Sequence, residues 1–176
     1  MAKYVAFLRG INVGGNKKVP MAKLKSILEE FGFQNVRTLL ASGNVTFEFK
    51  KVSLPSLTKK ISATLEDAFG FTIPAIVRDA KEIEEIVNDD PFKDINVTKD
   101  TRLYVTFLTD EPKSKLRIPY SSPDKTFQIL NIREKAIFSV VDLSKAGTTE
   151  AMAILEKEFG KNITTRNWNT IVKING

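Results

Sequence analysis

The stretch Arg9-Gly10-Ile11-Asn12-Val13-Gly14-Gly15-Asn16-Lys17-Lys18 places three glycines and three cations within ten residues. Gly10, Gly14 and Gly15 admit backbone angles closed to other residues and let a ligand approach the amides, while Arg9, Lys17 and Lys18 bring positive charge to the same edge. The chemistry this suits is the holding of a phosphate or another anion. Two lysines just ahead of a helix oppose its dipole unless an anion lies between. The alternative is a tight connection that needs glycine for geometry alone. The stretch lacks the Gly-Lys-Ser/Thr ending of a Walker A loop and the glycine spacing of a dinucleotide fingerprint, so the strong nucleotide signatures fail.

Two other groups have side chains suited to the same task. Ser42-Gly43-Asn44 would bring a hydroxyl and an amide beside the first loop, or else satisfies hairpin torsions alone. Arg166-Asn167-Trp168-Asn169 sets one cation and two amides around the only tryptophan, a composition for stacking on a planar group and holding a phosphate or carboxylate. The opposing reading makes Trp168 a core or cover residue.

The chain has no cysteine and no histidine. That removes disulfides, thiolate metal sites, cysteine nucleophiles, the commonest general base and the commonest zinc ligand, so any catalysis rests on carboxylates, Lys, Arg, Ser, Thr or Tyr. With 176 residues, 42% of them hydrophobic and twelve of them Phe, there is material for one domain or two small ones. No apolar run reaches membrane-spanning length and Met1-Ala2-Lys3 leads directly into a strand pattern, which predicts a cytoplasmic protein without a membrane partner. The net charge of +6 is uneven: residues 1–50 hold eight Lys and Arg against three Glu, and residues 51–100 hold seven basic against ten acidic residues. An anionic partner and a solubilising surface both fit that asymmetry.

The elements that must position these groups follow from periodicity. Lys3 to Leu8 reads as a buried strand, and Met21, Leu24, Ile27, Leu28 and Phe31 as a helix entered at Pro20 and capped by Gly32. Val36 to Leu40 and Val45 to Phe49 form a hairpin, Pro55 opens a helix that stops at Gly70, and Ile73 to Val77 is a fourth strand. Strand, helix, strand, strand, helix, strand is the split βαβ order of ferredoxin-like folds. Asp79 and Glu82, at capping-box spacing, start a third helix that ends before Asp89-Asp90-Pro91, and residues 88–100 are polar enough for a linker.

Tyr104-Val105-Thr106-Phe107-Leu108 then echoes Tyr4-Val5-Ala6-Phe7-Leu8, and Leu155 to Gly160 echoes Leu65 to Gly70. Phe127 to Ile132 and Ala136 to Val141 make a hairpin around Arg133-Glu134-Lys135, and Thr148 or Thr149 caps a helix. Asp110 to Pro123 has three prolines and no helical stripe, so the second copy lacks its first helix. The tail from Ile163 reads as strand or helix, with Ile163, Trp168, Ile171 and Val172 favouring a helix. The predicted class is α+β with two ferredoxin-like (βαββαβ) subdomains, the second degenerate: residues 1–78, a helix and linker over 79–100, and residues 101–176. On the third strand Asn44 and Thr46 occupy the positions where RNA-recognition domains keep base-stacking aromatics, which argues against that module.

The combination of Arg9 to Gly15, Ser42-Gly43-Asn44-Val45 and Thr165-Arg166-Asn167-Trp168-Asn169-Thr170 resembles the bacterial family known as domain of unknown function 1697, over nearly the whole chain. The resemblance implies an α+β fold of two ferredoxin-like subdomains and no activity. It suggests that Arg9, Asn12, Gly14, Gly15, Ser42, Gly43, Asn44, Arg166, Asn167 and Trp168 meet in one place. The expected ligand contacts are these with Gly10 and Lys17, with no cofactor, no metal ligand and no assigned catalytic residue. The leading function is binding of a small phosphorylated or otherwise anionic ligand. An enzyme acting on such a ligand, with Arg9 and Arg166 clamping and Asp79 or another carboxylate as base, is one alternative, and sequence-independent nucleic-acid binding by the basic N-terminal half is another.

Overall fold

The computed structural model describes residues 1–145 and 147–176. It is α+β with two antiparallel sheets, and the chain separates into two compact units, Met1–Glu85 with Asn175 and Ile86–Ile174 with Gly176.

The first unit begins with β1 (Ala2–Leu8), followed by α1 (Met21–Glu30), β2 (Gln34–Leu39), β3 (Asn44–Phe49), α2 (Leu54–Phe69) and β4 (Ala75–Asp79). The sheet order is β2-β3-β1-β4, with every neighbour antiparallel. Alternation along β1 turns Tyr4, Ala6 and Leu8 to one face, where they meet Leu24 and Leu28 of α1 and Leu57, Ile61 and Leu65 of α2. Each of those helical side chains is fully buried, a gain of about 1.5–3 kcal/mol apiece. Local chemistry sets the helix ends. Ser53 accepts a hydrogen bond from the Ser56 amide at the start of α2, and Gly70, at φ 77°, turns the chain out of it. At the end of α1 the cap residue is Phe31, one place before the expected Gly32, which follows it in the left-handed region at φ 89°.

Strand β4 starts two residues later than the sequence predicts, because its pairing with β1 begins at Leu8–Ala75. Helix α3 (Ala80–Asp89) follows at once, and the Asp79 carboxylate accepts from the Lys81 amide.

The second unit holds β5 (Thr101–Leu108), β6 (Tyr120–Ser121), β7 (Phe127–Arg133), β8 (Ala136–Asp142), α4 (Thr148–Phe159), β9 (Ile163–Asn167) and α5 (Trp168–Asn175). Its sheet runs β6-β7-β8-β5-β9, and Ala151 and Leu155 of α4 pack on Leu108, Ile129, Ile137, Val141 and Ile163. The register of β1 on β4 recurs here throughout. Leu8–Ala75, Val5–Arg78 and Tyr4–Asp79 between β1 and β4 correspond to Leu108–Ile163, Val105–Arg166 and Tyr104–Asn167 between β5 and β9.

Two expectations are corrected. The tail is not one helix from Ile163: Ile163–Asn167 is a strand because its backbone completes the open edge of β5, and the helix starts only at Trp168. Helix α4 is capped by Gly147, with Thr148 and Thr149 inside its first turn. Among the described residues no helix is long and apolar enough to cross a membrane.

Candidate functional site

The glycine-rich stretch leaves β1 between two neighbours. The Leu8 amide donates to the Gly43 carbonyl at 2.8 Å and the Arg9 amide to the Pro74 carbonyl at 2.9 Å. Gly10, at φ 69°, then turns the chain, and Ile11 returns to the core. From Asn12 to Lys17 the stretch doubles back on itself. The Asn12 amide donates to Lys17 and the Asn16 amide to Val13, both at 3.1 Å, and Gly14 and Gly15 are left-handed at φ 59° and 76°. Two successive positive φ values between paired residues make a type I′ turn. The stretch is therefore a small hairpin arm, and Val13 to Lys18 are exposed on it.

Asn12 fixes the base of this arm. Its side-chain carbonyl accepts from the Val19 amide at 2.8 Å, and its NH2 group donates to the Val19 carbonyl at 3.0 Å and the Ala41 carbonyl at 2.8 Å. One side chain so closes the loop and ties it to the β2–β3 turn. Its own φ of 55° is one that asparagine tolerates better than most residues.

That turn is equally constrained. Gly43 sits at φ 83°, and a Cβ there would lie 2.7 Å from Ile11 Cδ1 and 2.8 Å from Leu8 Cβ. Asn44 is fully buried, and its NH2 group donates to the Leu39 carbonyl at 2.8 Å and to Ser42 Oγ at 3.0 Å. The structure thus brings Asn12, Gly43 and Asn44 together as scaffolding, with Ser42 exposed beside them. It leaves Gly14, Gly15 and Lys17 on the projecting arm, and Arg9 half-buried at its root.

Helix α1 opens directly after the arm. Pro20 at its N-cap provides no side-chain hydrogen bond, and no acidic residue lies in the first turn. The backbone N–H groups of a helix start carry partial positive charge, and here Lys17 and Lys18 precede them while Lys23 follows. Lys23 Nζ stands 5.1 Å from the centroid of the Phe69 ring.

Arg166, Asn167 and Trp168 belong to the second unit. Arg166 is 8% exposed on β9 and donates to Thr164 Oγ1 at 2.7 Å and the Thr165 carbonyl at 3.1 Å, and burial pulls its pKa down to about 10. Arg78 on β4 repeats the last contact, donating to the Val77 carbonyl at 3.1 Å. Asn167 is exposed ahead of α5 without a side-chain cap bond, and Trp168 is half-buried, edge-on to Phe92 at 5.2 Å. Asp79, the candidate base, spends one carboxylate oxygen on the Lys81 amide.

A feature that sequence reasoning passed over is a cavity of about 360 Å³ in the second unit, walled on one side by Ile95 to Thr101. The polar composition of residues 88–100 predicts a linker. Phe92, buried within it, and Ile95, half-buried, are the apolar residues by which the segment packs.

Comparison with known proteins bears on the fold. None among curated proteins matches the chain. The solved structure of the conserved bacterial protein SP0830 from Streptococcus pneumoniae is similar over 99% of this chain and 97% of its own, with a TM-score of 0.69 and 21% identity, a likeness of fold. Residues 1–138 match the family described as a protein of unknown function, DUF1697, and the chain belongs to that family.

Proposed function

We propose that the first unit is a binding module for a phosphorylated or otherwise anionic ligand, held by the arm Val13 to Lys18 and the start of α1. The carrying observation is the bare N-terminus of α1, uncapped and without an acidic neighbour in its first turn, with two exposed lysines just before it. A cation at that end of a helix costs about 0.3–1 kcal/mol, a cost that a bound anion would reverse. Binding is preferred to turnover because the Asp79 carboxylate is engaged as a cap. The open space around Gly14 and Gly15 supports ligand access at the tip. In the second unit Arg166, Asn167 and Trp168 are kept as candidate ligand contacts.

The ferredoxin-like reading belongs to the same proposal. The order β2-β3-β1-β4 with α1 and α2 on one face supports it for the first unit. The order β7-β8-β5-β9, with the recurring pairings and no helix between β5 and β6, supports a degenerate copy in the second.

The test is titration of isotopically labelled protein with inorganic phosphate, pyrophosphate and a nucleoside monophosphate, following backbone amide shifts. Saturable shifts confined to Gly14 to Leu24, weakened by Lys17→Ala and Lys18→Ala, are expected. An arm unmoved by all three probes refutes the small-ligand reading. If a long single-stranded oligonucleotide alone moves it, with affinity falling steeply with salt, the ligand is a polyanion.

A further inference from the structure

The cavity of the second unit is distinct in chemistry from the basic arm. It lies between the segment Ile95 to Thr101 and the ends of β7 and β8. Its sheet wall follows from strand register. Val141 joins the core with α4, so its neighbours Val140 and Asp142 turn to the opposite face, where Thr101 pairs with Asp142 and Gln128 with Val140. Directly opposed side chains stand about 4.5–5.5 Å apart, which sets Thr101 beside Asp142.

The wall holds two carboxylates and one cation. Asp142 accepts from the Ser144 amide at 2.9 Å, and the Ser144 hydroxyl, then its amide, keep the Asp142 pKa below the ordinary carboxylate value, so it is ionised at neutral pH. Asp100 is anchored through its backbone, whose carbonyl accepts from the Leu143 amide at 2.8 Å, and its carboxylate makes no hydrogen bond or ion pair among the described residues. The hydroxyls of Thr98 and Thr101 lie 3.2 Å apart and each accepts from a backbone amide, so the pair together keeps one donor and one acceptor for a ligand. Lys125 is the single cation of the lining, and Ile95 and Val140 supply an apolar portion. An anion such as phosphate would meet two carboxylates here. Two carboxylates, with no cluster of three or more potential metal ligands among the described residues, also fall short of a metal site.

We propose that this cavity binds a small hydroxylated primary amine, of the amino sugar or hydroxy amino acid class. The ammonium group is held by Asp100 and Asp142, and the hydroxyls by Thr98, Thr101 and Gln128. The volume lies at the lower end of the range for small-molecule sites, which suits a single sugar ring or an amino acid.

Calorimetric titration of the full chain with glucosamine, L-threonine and glucose tests this. Glucosamine or L-threonine should bind saturably, which also separates the two sources of the ammonium, and glucose should bind about tenfold or more weakly. Asp100→Asn, nearly isosteric, should weaken the amine by about the same factor. Gln128→Phe, at an exposed strand position where an aromatic residue is well tolerated, should fill the space and abolish binding with the melting temperature retained. Failure of both amines to saturate, equal binding of glucose, or amine binding that survives both substitutions overturns the proposal.

Discussion

Replacing Gly43 by Ala tests whether the β2–β3 turn governs the first unit. Two effects add. At φ 83° an alanine is in a left-handed conformation that costs about 1–2 kcal/mol. Its Cβ would also stand 2.8 Å from Leu8 Cβ and 2.7 Å from Ile11 Cδ1, and Leu8 cannot retreat because it belongs to β1, an inner strand paired on both sides. Overpacking of this kind costs about 1–3 kcal/mol. The total of about 2–5 kcal/mol is a large share of the 5–15 kcal/mol that holds a typical domain together. Gly15→Ala is the internal control, at φ 76° with open space around its added Cβ, so it bears only the backbone cost. The assay is thermal and urea unfolding followed by far-ultraviolet circular dichroism, because Trp168 lies in the second unit and is a poor reporter on the first. Gly43→Ala should lower the melting temperature by about 10 °C or more, since each kcal/mol moves a domain of this size by about 4–8 °C. Equal losses in the two variants would mean that the close approach to Leu8 and Ile11 relaxes freely, and the packing argument would fall.

Asn12→Ala should cost about 2–3 kcal/mol by urea unfolding, because three hydrogen bonds go and an alanine must hold φ 55°; Asn12→Gly, which removes only the bonds, should cost less, and the reverse ranking would refute the reasoning. Asp124 accepts from the Ser122 hydroxyl and from the Thr126 amide and hydroxyl, which lower its pKa. A depressed folded pKa gives stability that is complete above the unfolded value of about 4 and is lost as pH falls through the folded value, so Asp124→Asn should flatten the acid limb of the urea midpoint against pH; parallel curves would exclude this. Phe92→Ala removes a buried ring that meets Trp168 edge-on, and should destabilise the second unit by about 3–5 kcal/mol and shift Trp168 emission to the red, whereas an unmoved spectrum would show that the ring does not shield the indole.

Much of the fold is legible because local chemistry and periodicity agree. Pro55, the stripe Leu57, Ile61, Leu65 and Gly70 mark α2 at both ends and along its face, and the structure uses each of them so. The strand at the start of the tail is hidden because Ile163, Trp168, Ile171 and Val172 fall near helical spacing while the deciding contact is remote. Val105 pairs with Arg166 across the sheet, and sequence spacing does not reveal a partner 61 positions away. The β-branched run Ile163-Thr164-Thr165 was the local hint of a strand. The two-residue strand β6 is too short for any periodicity to show. In the first loop the glycines are visible but Asn12 is ambiguous, since a scaffold asparagine and a ligand-binding one are the same letter until Ala41 is seen beside it.

The clamp at Asn12 separates the arm mechanically from the core: the loop is already shut at its root by the bonds to Val19, whatever lies between residues 13 and 18. This makes the Gly14–Gly15 junction a natural graft site. A peptide tag or a borrowed recognition loop inserted there starts from a closed base, and each doubling of loop length adds only about 0.6 kcal/mol of closure entropy. Variation at the tip therefore leaves Leu8, Ile11 and the β2–β3 turn as they are.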